Sequence, residues 1–208
     1  MAAITLVHVA GGGLALLAGA LAVALRKGSR AHGQAGSVFA LAMVAMALPG
    51  GVLAVMSGKP FDVLSSAMSL YLVLSGWVAF QGLTTARIVW MLTGAACCLI
   101  GYLAVEGYAL ATGIRATDAP VGVGYVFAGL MLVAACGDVR YARGGYRRRQ
   151  LMLRHLWRMN FGLFIQACPG GAKYGYLCFR LPFLTYYWSK RFGMSTDWKT
   201  CSANLLNQ

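Results

Sequence analysis

Long apolar stretches separated by short polar segments account for most of the chain. Seven of them are candidate transmembrane helices: residues 2–25, 37–56, 61–80, 88–112, 121–139, 156–168 and 174–188. Because the hydrocarbon core of a bilayer is about 30 Å thick, a spanning helix needs roughly 20 apolar residues. The first five stretches have about this length, whereas the sixth is short and the seventh is interrupted by Arg180 and Pro182. The pattern predicts an all-α, polytopic bundle of six or seven transmembrane helices.

Composition supports the same class of protein. Of the 208 residues, 59% are hydrophobic and only 11% are charged, whereas a soluble domain averages about 25% charged residues. These values exclude a disordered chain, a soluble nucleic-acid-binding protein and a disulfide-stapled secreted domain. We expect a single integral membrane domain over residues 1–208, with the lipid bilayer as its partner and no nucleic acid.

The distribution of basic residues predicts the orientation. The net charge is +13, from 18 Lys and Arg against 5 Asp and Glu. If seven helices span and the N-terminus lies outside, the inner loops and tail carry thirteen basic residues and the outer loops carry three. Lys and Arg accumulate in cytoplasmic loops, so we expect an inner-membrane protein with a periplasmic N-terminus. The C-terminus is then cytoplasmic if the seventh helix forms. The cytoplasmic arginine cluster, Arg147 to Arg149, could also contact anionic lipid head groups.

Two ionisable residues lie near the outer ends of predicted helices. His8 shares a helix face with Gly11, Ala15 and Gly19, and small residues at this spacing allow close helix packing. Glu106 lies at a similar depth in the fourth helix. A His–Glu pair at one depth could carry a proton or bind a metal or small cation. The alternative is that each side chain reaches water or bonds a neighbouring backbone group.

A second set of polar residues lies at the inner side. His32 and His155 open the second and sixth predicted helices, and two histidines from different helices are the axial ligands of a six-coordinate b-type haem. Solvation at the membrane edge is the alternative for both. Asp138, at the end of the fifth predicted helix, could instead form an ion pair with Arg158 and so join two helices.

Signals for other chemistry are weak. The chain has no nucleotide-binding, serine-hydrolase or zinc-protease motif, and five acidic residues leave little scope for paired-carboxylate catalysis. The six cysteines contain no C-x-x-C pair, and we expect them to be apolar filler. The sequence favours a protein that is not an enzyme and predicts no metal site. It predicts no cofactor, except haem b if His32 and His155 are axial ligands.

Three segments carry a resemblance to a known family. They are His8-Val9-Ala10-Gly11-Gly12 through Arg26-Lys27-Gly28, then His32 to Phe39, and Arg154-His155-Leu156-Trp157-Arg158-Met159. Together they resemble an uncharacterised family of bacterial multi-pass membrane proteins, domain of unknown function 2306, over roughly residues 4 to 165. The resemblance implies a bacterial inner-membrane location and carries no established activity. Residues 166–208 are atypical of the family.

Three functions follow as hypotheses. The protein could transport or sense a small solute or protons, with His8 and Glu106 at its outer vestibule. It could be an assembly or scaffold protein without catalytic chemistry, in which the polar side chains fix helix packing. The alternative is a membrane electron carrier with b-type haem between His32 and His155.

Overall fold

The computed structural model of the chain describes residues 1–80, 84–114, 122–144 and 147–167. This part is helical throughout, with six α-helices and a single 3₁₀ turn, Val78–Phe80, after the third. The α-helices are α1 (Ala2–Ala24), α2 (Arg30–Met56), α3 (Pro60–Trp77), α4 (Thr85–Thr112), α5 (Val123–Ala142) and α6 (Arg148–Ala167). The predicted seventh helix, over residues 174–188, lies outside the described residues.

Four of these helices are long and apolar enough to cross a membrane, namely α1, α2, α4 and α5. They support a helical membrane protein, as the sequence predicts. Helices α3 and α6 are outside this set, although the sequence predicts spans at 61–80 and 156–168. The reason is composition, because α3 carries Asp62 and four serines and α6 opens with an arginine-rich turn.

Two helices begin seven or eight residues earlier than the apolar stretches predict. Helix α2 begins at Arg30, where Ser29 caps it by accepting the backbone N–H of His32 at 3.1 Å, and α6 begins at Arg148. A capped helix can continue through polar residues, since its first backbone N–H groups are satisfied. His32 therefore lies in the first turn of α2, at its opening, whereas His155 lies inside α6 rather than at its opening. Asp138 likewise lies within α5, which continues to Ala142.

Small residues bring α1 close to α2. Gly11, Ala15 and Gly19 are buried on one face of α1. A methyl group at Gly11 would lie 3.0 Å from the backbone nitrogen of Met46, so only glycine allows this approach. The small-residue face therefore packs as its four-residue spacing predicts.

Aromatic residues fill the contact among α3, α4 and α5. The rings of Phe61, Tyr102 and Phe127 meet in pairs with centroids 5.5–5.7 Å apart. Helix α6 packs mainly against α3. Charged side chains lie between these helices: Asp138 on α5, and Arg154 and Arg158 on α6.

Candidate functional site: a buried arginine centre

Two arginines share one buried aspartate between α5 and α6. Nη2 of Arg154 lies 2.5 Å from Oδ1 of Asp138, and Nη2 of Arg158 lies 2.8 Å from the same oxygen. Asp138 and Arg158 are completely buried, and Arg154 is 3% exposed. The two arginines are four residues apart on α6 and so present one face of the helix to Asp138. We call Asp138, Arg154 and Arg158 the arginine centre.

Helix α3 completes the surroundings of the arginine centre. The Tyr71 hydroxyl donates to Oδ2 of Asp138, and Nη1 of Arg158 donates to the Ser75 hydroxyl. Nη2 of Arg158 also donates to the carbonyl of Ala134, at 2.9 Å. Both carboxylate oxygens of Asp138 are therefore bonded, and Arg158 joins α6 to two other helices, α3 and α5.

Aromatic rings and a thioether provide the remaining contacts. The guanidinium of Arg154 lies over the Tyr141 ring, 4.6 Å from its centroid, and that of Arg158 lies 5.2 Å from the centroid of Tyr71. Nη2 of Arg154 also donates to the sulfur of Met91 at 3.2 Å. Ring faces attract cations, yet they carry no net charge. They offset part of the cost of burial and leave the charge balance unchanged.

The arginine centre carries one more positive charge than it neutralises. Two guanidinium groups face one carboxylate, which leaves a net charge of +1 where both arginines are buried. Three of their nitrogens, Nε and Nη1 of Arg154 and Nε of Arg158, have no hydrogen-bond partner within the described part of the chain. A buried donor without a partner costs roughly 1–3 kcal/mol, and more when it is charged. The site thus has unused capacity to bind an anion.

His8 bonds a neighbouring backbone group. Its Nδ1–H donates to the carbonyl of Met46 in α2 at 2.8 Å. This carbonyl lies three residues before Pro49, which interrupts the hydrogen-bond ladder of α2. A methyl group at Gly50 would lie 2.8 Å from the His8 ring, so glycine makes room for the imidazole. His8 joins α1 to the proline-containing segment of α2.

Glu106 also bonds backbone, on a different helix. Its Oε1 accepts the backbone N–H of Gly124 at 2.7 Å, and Gly124 is the second residue of α5. The N-cap residue of α5, Gly122, has no side chain to accept this bond, and a carboxylate interacts favourably with a helix N-terminus. Glu106 therefore caps α5 from α4. No hydrogen bond or ion pair joins it to His8 in the part of the chain that the structure describes.

His32 and His155 bond the ends of other helices. Nδ1–H of His32 donates to the carbonyl of Ala22 near the end of α1, and that of His155 donates to Gly76 near the end of α3, each at 2.9 Å. The Lys27 ammonium also donates to Ala22, at 2.8 Å. These carbonyls belong to the last turns of their helices, where donors are needed.

Of the pairs that the sequence suggests, the structure joins Asp138 to Arg158. It gives the other four residues, His8, Glu106, His32 and His155, separate backbone partners. It adds Arg154 and Tyr71, which sequence reasoning did not assign to the ion pair. The four-residue spacing of Arg154 and Arg158 was the available signal for the first. Nothing in the sequence indicated Tyr71. No group of three or more His, Cys, Asp or Glu side chains is placed to hold a metal ion among the described residues.

The fold and the site define a class of protein: a helical membrane bundle with a buried, positively charged centre. No protein-family model, curated protein or solved structure matches the chain.

Proposed function

We propose that this protein binds a small anionic solute at the arginine centre and acts in its transport or sensing across the membrane. One observation carries the proposal: the buried arginines have three nitrogens without partners and a net positive charge. Ionisable groups inside a membrane protein are expensive to bury and are commonly functional. The proposed binding site is the arginine centre rather than His8 and Glu106.

The other polar side chains support this choice of site. His8, His32, Glu106 and His155 each bond a backbone group at a helix end or beside a proline. Such bonds hold helices together, which is the role that the scaffold hypothesis gives to them. The arginine centre differs from these side chains, because its charges do not balance and three of its nitrogens have no partner among the described residues. We therefore place the ligand there.

Thermal unfolding of the purified protein in detergent tests this function. Sodium acetate and sodium sulfate are the probes, with sodium chloride, whose anion is not an oxyanion, as the reference salt at the same ionic strength. We expect at least one probe to raise the unfolding temperature of the wild type and not that of Arg154→Met. Absence of any shift in the wild type would refute the proposal. Uptake of the stabilising anion into proteoliposomes then separates transport from sensing.

For the location we propose the bacterial inner membrane, with six or seven spanning helices and the N-terminus outside. The thirteen-to-three distribution of basic residues supports this orientation. Cysteine labelling checks it in a variant without the native cysteines: Ser57→Cys should react with an impermeant maleimide in spheroplasts, and Arg26→Cys only after permeabilisation. The reverse pattern would refute it. Membership of the family domain of unknown function 2306 is part of the same proposal and rests on the residues quoted above.

A b-type haem electron carrier is the second candidate function. His32 on α2 and His155 on α6 each donate Nδ1–H to a backbone carbonyl at 2.9 Å, and these bonds support it. An Nδ1–H donated to a backbone carbonyl is also the usual way to orient a ligating imidazole. An oxidised-minus-reduced visible spectrum of the purified protein tests it. A stoichiometric Soret band lost in both His32→Ala and His155→Ala is the expected result for haem, and a flat spectrum excludes this candidate.

A further inference from the structure

We infer that the ligand of the arginine centre is a monoanion that presents at least two oxygens, such as a carboxylate or a phosphodiester. This inference rests on the proposed anion-binding function and specifies the chemical class of the anion. Charge balance gives the charge of the ligand, and the unpartnered nitrogens give the number of acceptor atoms.

The charge follows from the residues that surround the centre. Two arginines and Asp138 sum to +1, and the rings of Tyr71 and Tyr141 that contact them are neutral. One negative charge would complete the balance, whereas a dianion would leave an uncompensated negative charge of the same size. The other described acidic residues are committed elsewhere, since Glu106 bonds Gly124 and Asp62 is exposed in α3.

The number of acceptor oxygens follows from the hydrogen bonds. Arg154 has two unpartnered nitrogens and Arg158 has one, and every other guanidinium nitrogen donates to Asp138, Ser75, Ala134 or Met91. Arginine binds carboxylate and phosphate oxygens through charge-assisted hydrogen bonds, which are stronger than neutral ones. A single-atom anion such as chloride offers one acceptor atom to the two arginines, whereas an oxyanion can give a separate oxygen to each. An oxyanion with two or more oxygens meets both conditions.

A comparison of anions of fixed charge tests the inference. Acetate and dimethyl phosphate are monoanions with two available oxygens, and sulfate is a dianion. We expect acetate or dimethyl phosphate to bind the detergent-purified full chain at least about tenfold more tightly than sulfate, as measured by calorimetry. Equal or tighter binding of sulfate would overturn the monoanion inference and leave the proposed function intact. Absence of binding by all three anions would overturn both.

Matched variants separate the centre from general surface charge. Arg154→Met, which removes the excess charge, should abolish acetate binding. Arg149→Gln removes one exposed charge from the same helix and should retain the wild-type affinity within about twofold. Loss of binding in Arg149→Gln, with retention in Arg154→Met, would assign the effect to the surface and refute the site.

A lipid arm identifies the source of the monoanion. Micelles doped with phosphatidylglycerol present a phosphodiester with a net charge of −1, and micelles of neutral detergent present none. Competition of the phosphatidylglycerol micelles with acetate would assign the site to a lipid head group. Acetate binding that is unaffected by the lipid would assign it to a soluble solute. In the lipid case, Arg154→Met should show neither acetate binding nor competition between acetate and the lipid. Competition that persists in this variant would overturn the site.

Discussion

Gly124→Ala tests the contact by which Glu106 of α4 caps α5. A methyl group at position 124 would lie 2.5 Å from Oε1 and 2.8 Å from Cδ of Glu106. Both distances are well below van der Waals contact, and Glu106 is only 6% exposed. The carboxylate would have to leave Gly124, which breaks the 2.7 Å hydrogen bond.

The expected loss of stability combines two effects. A hydrogen bond to a charged group contributes about 1.5–3 kcal/mol, and overpacking of a filled site costs typically about 1–3 kcal/mol. Alanine has a better intrinsic helix propensity than glycine by about 1 kcal/mol, which offsets part of the loss. We therefore expect Gly124→Ala to lower the free energy of unfolding by about 2–4 kcal/mol.

Reversible unfolding in mixed micelles, followed by circular dichroism, measures this change. Gly129→Ala is the matched control, because it lies on the same helix and a methyl group there meets nothing within 4 Å. We expect the control to be neutral or more stable than the wild type, by up to about 1 kcal/mol. The difference between the two variants isolates the contact with Glu106 from helix propensity.

The double variant gives the sharpest test. In a Glu106→Ala background the side chain that alanine would strike is absent, so Gly124→Ala should cost less than about 0.5 kcal/mol there. The two changes would then be strongly non-additive. Additive effects would refute the capping contact, since they would mean that the two positions act independently.

Three further predictions concern the free energy of unfolding in the same micelles. Asp138→Asn leaves two buried arginines without a carboxylate and should cost about 3–5 kcal/mol. The control, Asp62→Asn, changes an exposed residue and should cost less than about 1 kcal/mol. Similar losses in the two variants would contradict the buried charge network. Arg154→Met removes the excess charge and retains the Asp138 bonds to Arg158 and Tyr71. Without added anion, the free energy of unfolding of this variant should be no more than about 1 kcal/mol below that of the wild type. A loss near that of Asp138→Asn would mean that Arg154 is needed for folding. His8→Ala removes the bond to the Met46 carbonyl and should cost about 0.5–1.5 kcal/mol, and no loss would show that this bond does not join α1 to α2.

The helices were largely predictable because their signal is local. Apolar stretches of about 20 residues mark the membrane-spanning candidates, and the small residues of α1 predict its packed face. The starts of α2 and α6 were not predicted, because hydropathy follows side-chain composition whereas helix limits depend on how backbone groups are capped. Ser29, the cap of α2, was present in the sequence as the signal for the earlier start.

The apolar stretches already show that polar residues such as His8, Glu106, Asp138 and Arg158 lie in or beside helices, and they suggest the Asp138–Arg158 pair. The bonding partner of each residue follows instead from how the helices pack. Tyr71 and Asp138 are separated by 67 residues, and Arg158 and Ser75 by 83, so no periodicity along the chain reports these contacts. A polar group in an apolar interior bonds the nearest available partner, and the packing of helices fixes which partner is nearest. This packing gave His8 and Glu106 separate backbone partners and placed two arginines on one aspartate.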